Sequence, residues 1–182
     1  MYPINPTLTE ALYLYCGRNE TTLNDRFPYS GRNGSMTTGS LTPQERENER
    51  IARRIPEDVF GDGNLDLLDD LYAPNAVDYN PFGSQEGLEA IRESYESFLS
   101  AFPDVTQTVE HSVVHGDMVV LHITSRGTHE GILWGIEPTG KEMEVQQMAF
   151  VRIEDGLIAE RWFLSDNLML LQQLGVIDFP PE

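Results

Sequence analysis

The chain has 182 residues, 40% of them apolar, which fits one domain of common size with its own core, or one domain and an arm. Thirty acidic residues against 12 basic ones leave a net charge of −18, a surface that repels nucleic-acid phosphates and anionic lipid alike. No run approaches the ~20 apolar residues of a membrane span, and one cysteine, Cys16, cannot staple a fold.

The N-terminus lacks the basic start, apolar stretch and small-residue site of a signal peptide, so a reducing cytoplasm is expected. Among the bases only Lys141 is a lysine, and the rest are arginines. Acid excess of this kind is expected of a halophilic protein from a salt-rich cytosol, where a short Debye length relieves self-repulsion. An ordinary acidic protein is the alternative.

Residues 1–43 carry Glu10, Glu20 and Asp25 against Arg18, Arg26 and Arg32, so the rest of the chain holds the whole charge. This segment is rich in Asn, Gly, Ser, Thr and Tyr and has little periodicity, and it is expected to be a poorly ordered arm. Met36 opens a stretch that runs straight into the domain, so residues 1–35 are read as upstream codons outside the functional protein.

The domain, residues 44–182, opens sharply. Thr42-Pro43-Gln44-Glu45 reads as a capping box with proline at the first helical position. The first helix runs to about Phe60 on Ile51, Ile55 and Val59, with Pro56 expected to kink or split it. A short second helix carries Leu65, Leu68 and Leu71 or Tyr72 as its apolar stripe, and Ala76 to Tyr79 reads as a brief strand. A third helix over about 86–101 has its stripe at Leu88, Ile91, Tyr95, Phe98 and Leu99. The period then changes from 3.6 to 2, giving four strands over 105–115, 117–129, 142–153 and 157–165. Turn-forming residues separate them, so they pair as antiparallel neighbours. A last helix runs from Asn167 to Leu174. Helices succeeded by a meander mean an α+β fold with helices on one face of the sheet.

No phosphate-cradling loop, Cys/His metal cluster or nucleophile elbow is present, and His111, His115, His122 and His129 lack metal-ligand spacing. On strand 157–165, period two puts Ile158, Glu160, Trp162, Leu164 and Asp166 on one face, provided no bulge intervenes. The neighbouring strand offers either Gln146, Met148 and Phe150 or the alternate set with Gln147. A carboxylate among Trp and Leu loses solvation, which tunes it toward proton transfer. Asp166 also precedes Asn167 and Leu168 and fits the N-cap of the last helix, the reading the residues alone favour; the two roles compete. Tyr79, Phe82 and Trp134 are aromatics in or beside loops, where they line a pocket or pack on the sheet rim.

The ordered set Phe98-Leu-Ser-Ala-Phe-Pro-Asp104, Gly116-Asp117, Gly127-Thr-His-Glu-Gly131, Pro138-Thr-Gly-Lys141, Asp155-Gly-Leu-Ile-Ala-Glu-Arg-Trp162 and Leu170-Leu-Gln-Gln-Leu-Gly175 resembles the SnoaL-like polyketide cyclase or ester cyclase family of the nuclear transport factor 2-like superfamily. The resemblance covers about residues 44–177. It implies a cone-shaped barrel of curved, mostly antiparallel sheet with N-terminal helices on the concave side and a ligand inside. It implies a homodimer through the outer sheet face. It also implies Asp166 as the acid/base of an aldol ring closure that needs no cofactor and no metal, which reverses the lean toward a cap. His129, Gln147 or Tyr79 would donate to the oxyanion, and Trp162, Gln147, Trp134, Phe82 and Phe150 would contact substrate. Tyr79 stands where many relatives carry a histidine. The expected function is a cofactor-independent enzyme performing aldol cyclisation or isomerisation on a small apolar carbonyl compound. The alternative is a non-catalytic binding or dimerisation module on the same fold.

Overall fold

A computed structural model of the chain describes residues 40–178. All but the last four residues of the expected arm, 1–43, with Cys16 and Met36, lie outside the described residues, as does the end of the chain from 179.

Helix α1, Pro43–Arg54, begins as its capping box dictates. Thr42 Oγ1 accepts from Glu45 N at 3.1 Å, while Thr42 N donates to Glu45 Oε2 at 2.9 Å. Pro56 does not split the helical run. Instead Ile55–Phe60 widens into a π-helical turn, closed by Gly61 N donating to Pro56 O at 3.2 Å, and it buries Ile55, Val59 and Phe60. A 3₁₀ turn at Leu65–Leu67 leads to the short helix α2, Leu68–Leu71, whose two leucines are fully buried.

The sheet has six strands in the order β2-β1-β6-β5-β4-β3. They are β1 (Tyr72–Asn80), β2 (Gly83–Glu86), β3 (Thr106–His115), β4 (Met118–Thr128), β5 (Glu142–Glu154) and β6 (Leu157–Ser165). The expected meander forms as β3 to β6, each pair antiparallel. On β5 the burial alternates almost without a break, with Met143, Val145, Gln147, Ala149, Val151 and Ile153 inward. Two features were not legible as elements: β2 is new, and β1 runs parallel to β6, longer than the brief strand expected.

Helix α3, Leu88–Ala101, lies between β2 and β3 in the chain and buries Ile91 and Tyr95 on its expected stripe. Helix α4, Asn167–Gln173, comes after β6. The described residues thus form a curved six-stranded sheet whose inner face carries the core, with helices packed against it. Among the described residues, no helix is long and apolar enough to cross a membrane.

One irregularity decides what the inner face displays. Ile158 pairs with Ile153 and Tyr72, while Glu160 pairs with Arg152 and Val77, which leaves Ala159 out of both ladders. Such a bulge exchanges the faces of every residue beyond it. Ile158 therefore points inward, but Arg161, Phe163 and Ser165 share that side with it, and Trp162, Leu164 and Asp166 turn outward.

Candidate functional site

The inner face of β1, β5 and β6, helix α3, and the loops after β1 and β4 enclose a cavity of about 290 Å³. Its walls are largely aromatic and aliphatic, among them Phe60, Phe98, Phe163, Met143, Val145 and Leu170. Two aromatics, Phe82 and Trp134, stand at its exposed side, 65% and 49% accessible, with ring centroids 4.7 Å apart. Trp134 sits at φ +50° in a two-residue turn, which Leu133 N and Ile136 O close at 3.1 Å and Ile136 N and Leu133 O at 2.7 Å. An αL conformation at a bulky residue is strained, so the turn holds the indole where relaxed backbone would not.

At the base of the cavity the parallel register puts Asp78 of β1 directly beside Arg161 of β6. Arg161 Nη1 donates to Asp78 Oδ2 at 2.8 Å, and both side chains are buried. The Tyr95 hydroxyl donates to the same oxygen at 3.1 Å, and Tyr72 lies 2.7 Å from Tyr95, hydroxyl to hydroxyl. The Arg161 guanidinium also stacks 4.3 Å from the centroid of Phe163. Burial pushes the Tyr72 and Tyr95 phenols well above their usual range, so both keep their protons. Burial alone would lower the guanidinium of Arg161, but the charge and hydrogen bond of Asp78 together with Tyr95 and Tyr72 outweigh it, and the net direction is upward. Among the described residues, Asp78 and Arg161 are the charged pair that lines the cavity, and they neutralise one another.

The residues expected from sequence divide clearly. Gln147, Trp134 and Phe82 line the cavity. Asp166, expected inside it, is exposed and caps α4, its Oδ1 accepting from Met169 N at 3.0 Å. The bulge at Ala159 is the reason: it turns residue 166 outward and leaves Ser165 and Asn167 on the cavity wall. Trp162 turns outward by the same change of parity, and Tyr79, its register partner on β1, stacks on it there with centroids 5.5 Å apart. Phe150 is also outward, 41% exposed.

His129 is wholly buried away from the cavity. Its Nδ1 accepts from Thr139 N at 3.2 Å, while Glu130 N and Gly131 N both donate to Ala101 O. The Gly-Thr-His-Glu-Gly stretch is thus a brace that fixes the Trp134 loop to α3. A Cβ at Gly131 would lie 2.1 Å from Ser100 O, so only glycine fits there. His111 and His122 pair across β3 and β4 on the exposed side, Nδ1 to Nδ1 at 3.2 Å. Among the described residues no group of three or more His, Cys, Asp or Glu is placed to hold a metal ion.

Sequence reasoning missed Asp78, Arg161 and Tyr95. The signal was present but short: Asp78 is the one acid of β1, after Ala76 and Val77, and Arg161 is the one base of β6, before Trp162 and Phe163. Such charges inside strands are retained when they face one another.

The family profile for SnoaL-like polyketide cyclases matches residues 50–174. No curated protein matches the sequence. Among solved structures, IdmH from Streptomyces antibioticus, provisionally described as a polyketide cyclase, is 32% identical with a TM-score of 0.62, covering 70% of this chain and 98% of its own. A protein from Jannaschia sp. CCS1, provisionally described as a SnoaL-like polyketide cyclase, is 23% identical with a TM-score of 0.72 over 79% of this chain and 99% of its own. A Catenulispora acidiphila protein with a ketosteroid isomerase-like fold, solved with trimethylamine, has a TM-score of 0.61 at 19% identity, covering 78% of this chain and all of its own, 100%. These likenesses fit the nuclear transport factor 2-like architecture of the curved sheet and its helices. With the profile spanning most of the chain and the sheet, brace and cavity in place, the chain belongs to the SnoaL-like polyketide cyclase family.

Proposed function

We propose that the chain is a cyclase-like enzyme that holds one small, neutral, mostly apolar carbonyl compound in the cavity. It rearranges that compound by acid/base chemistry, as an aldol cyclisation or an isomerisation, without metal or organic cofactor. The observation that carries this reading is the cavity wall. Apolar groups dominate it, its pair of charges is internally compensated, and its remaining polar groups are amides and hydroxyls such as Gln107, Gln147 and Ser165. A charged ligand would lose its hydration there and find no free counter-charge. A neutral oxygenated ligand would find donors and acceptors.

The relatives described as polyketide cyclases support the same class of chemistry. A binding module without turnover is the second reading, favoured by the placement of Asp166 in a helix cap. An assembly of two copies is also proposed, through the outward apolar residues Val113, Met148, Phe150 and Leu164 of the sheet. The cytoplasm and the absence of nucleic-acid partners are inferred from the lone cysteine and the charge of −18.

Ligand class is tested by titrating intrinsic fluorescence, with Trp162→Phe to isolate Trp134. 2-Tetralone should quench saturably, and 2-naphthoate, similar in shape but anionic, should not. Equal binding of the anion, or no binding of the ketone, would count against a neutral-carbonyl site.

A further inference from the structure

Acid/base chemistry in the cavity needs a proton acceptor, and the structure offers one that neither composition nor the family resemblance singled out. Asp78 lines the cavity with its side chain 4% exposed, and its two oxygens have unlike surroundings. Oδ2 is crowded with donors: Arg161 Nη1 at 2.8 Å, Tyr95 OH at 3.1 Å and Tyr72 OH at 3.4 Å. Oδ1 is buried and accepts nothing from the described residues. A carboxylate oxygen carries two lone pairs, and leaving them unmatched in the interior is unfavourable; Ser125 Oγ and His129 Nε2 are the other such side-chain atoms among the described residues, and neither residue lines the cavity.

The asymmetry has a chemical use. A carboxylate held at one oxygen by a guanidinium and a phenol cannot rotate away, so its other oxygen keeps a fixed direction. Resting on the proposed enzyme function, we infer that Asp78 Oδ1 is the base of this cavity. Arg161, Tyr95 and Tyr72 are then positioning residues that hold Oδ2. In the step itself, the C–H bond beside the ligand's carbonyl breaks and its proton forms an O–H bond with Oδ1. The electron pair passes to the carbonyl oxygen, giving an enolate. Gln147 faces the same space with its Oε1 accepting from Gln107 Nε2 at 3.4 Å, which turns the Gln147 Nε2 group toward donation to that enolate oxygen. The proton on Oδ1 then returns to carbon, completing an isomerisation. In a cyclisation it goes to the alkoxide formed when the enolate carbon bonds a second carbonyl carbon. Either return restores the carboxylate.

The test monitors exchange of the benzylic C–H of 2-tetralone in D₂O by proton NMR, with binding measured separately by fluorescence. The intact protein should accelerate exchange over buffer. The double variant Asp78→Asn/Arg161→Gln removes both charges together and leaves a polar amide at each position. It should bind 2-tetralone yet lose exchange by roughly 100-fold or more, the usual contribution of a positioned base. Exchange as fast as wild type in the folded double variant would overturn the assignment alone. A wild-type protein that binds the ketone without accelerating exchange would overturn the enzyme reading itself. Tyr95→Phe decides the matter if the double variant does not fold. Loss of one donor lets the carboxylate turn, so exchange should slow by about 10-fold or more while 2-tetralone binding is kept. Exchange at the wild-type rate in this variant would overturn the inference.

Discussion

Two aspartates near the ends of paired strands meet opposite surroundings in this molecule. Asp78 is buried against a guanidinium and two phenols, whereas Asp166 sits in solvent and satisfies the first turn of α4. A carboxylate spent on a backbone N–H is stabilised where it stands and has no reason to meet a ligand. Asp166→Ala should therefore lower stability by about 1 kcal/mol, as lost N-caps do, and leave 2-tetralone exchange within about threefold of wild type. A collapse of exchange without a loss of stability would return Asp166 to the chemistry. Chain pattern alone could not separate the two aspartates. Period two is unambiguous about which residues share a face and silent about which face is inner, and the extra residue at Ala159 sits between the signal and the answer.

At the scale of elements, the local rules were largely readable. The capping box, the stripe of α3 and the strict alternation on β5 each came from short-range chemistry, and each formed as expected. What escaped was pairing at a distance. The parallel contact of β1 with β6 brings Asp78 to Arg161 across 83 positions of sequence, and no local period encodes it. Turns are held by side chains as well. Asp104 binds Thr128 N at 2.6 Å and Thr128 Oγ1 at 2.7 Å, and this hydrogen bonding draws its carboxyl below the usual range. A folded value below the unfolded one means a contribution fully present above the ordinary carboxylate range, about pH 4, and lost as the pH falls through the folded value. The gap in melting temperature between wild type and Asp104→Asn should therefore be wider at pH 7 than at pH 3. A gap independent of pH would show that the carboxylate form contributes nothing.

Over the whole molecule, charge and shape pull in different directions. A net charge of −18 opposes both folding and association at low salt, yet the sheet presents Leu164, Val113, Phe150 and Met148 outward. If a second copy covers this face, Leu164→Glu should convert a dimer to monomers in sedimentation velocity at moderate salt. A wild type that sediments as a monomer at micromolar concentration would end that reading. Salt should act on the fold directly too. The melting temperature is expected to climb steeply from low to molar salt as screening shortens to a few Å. A flat response would mark the acid excess as ordinary surface chemistry.

The unpaired residue at Ala159 also makes β6 a strand with two alternative lining sets, one on each side. Gaining or losing one amino acid there would rotate Arg161 out and Trp162 in without touching either codon. A relative without that insertion would therefore offer its ligand a carboxylate at the strand's end instead of a salt-bridged pair at its middle. Reaction type within the fold could drift by indel rather than by substitution, and gapless alignments through this point would match side chains that face opposite ways.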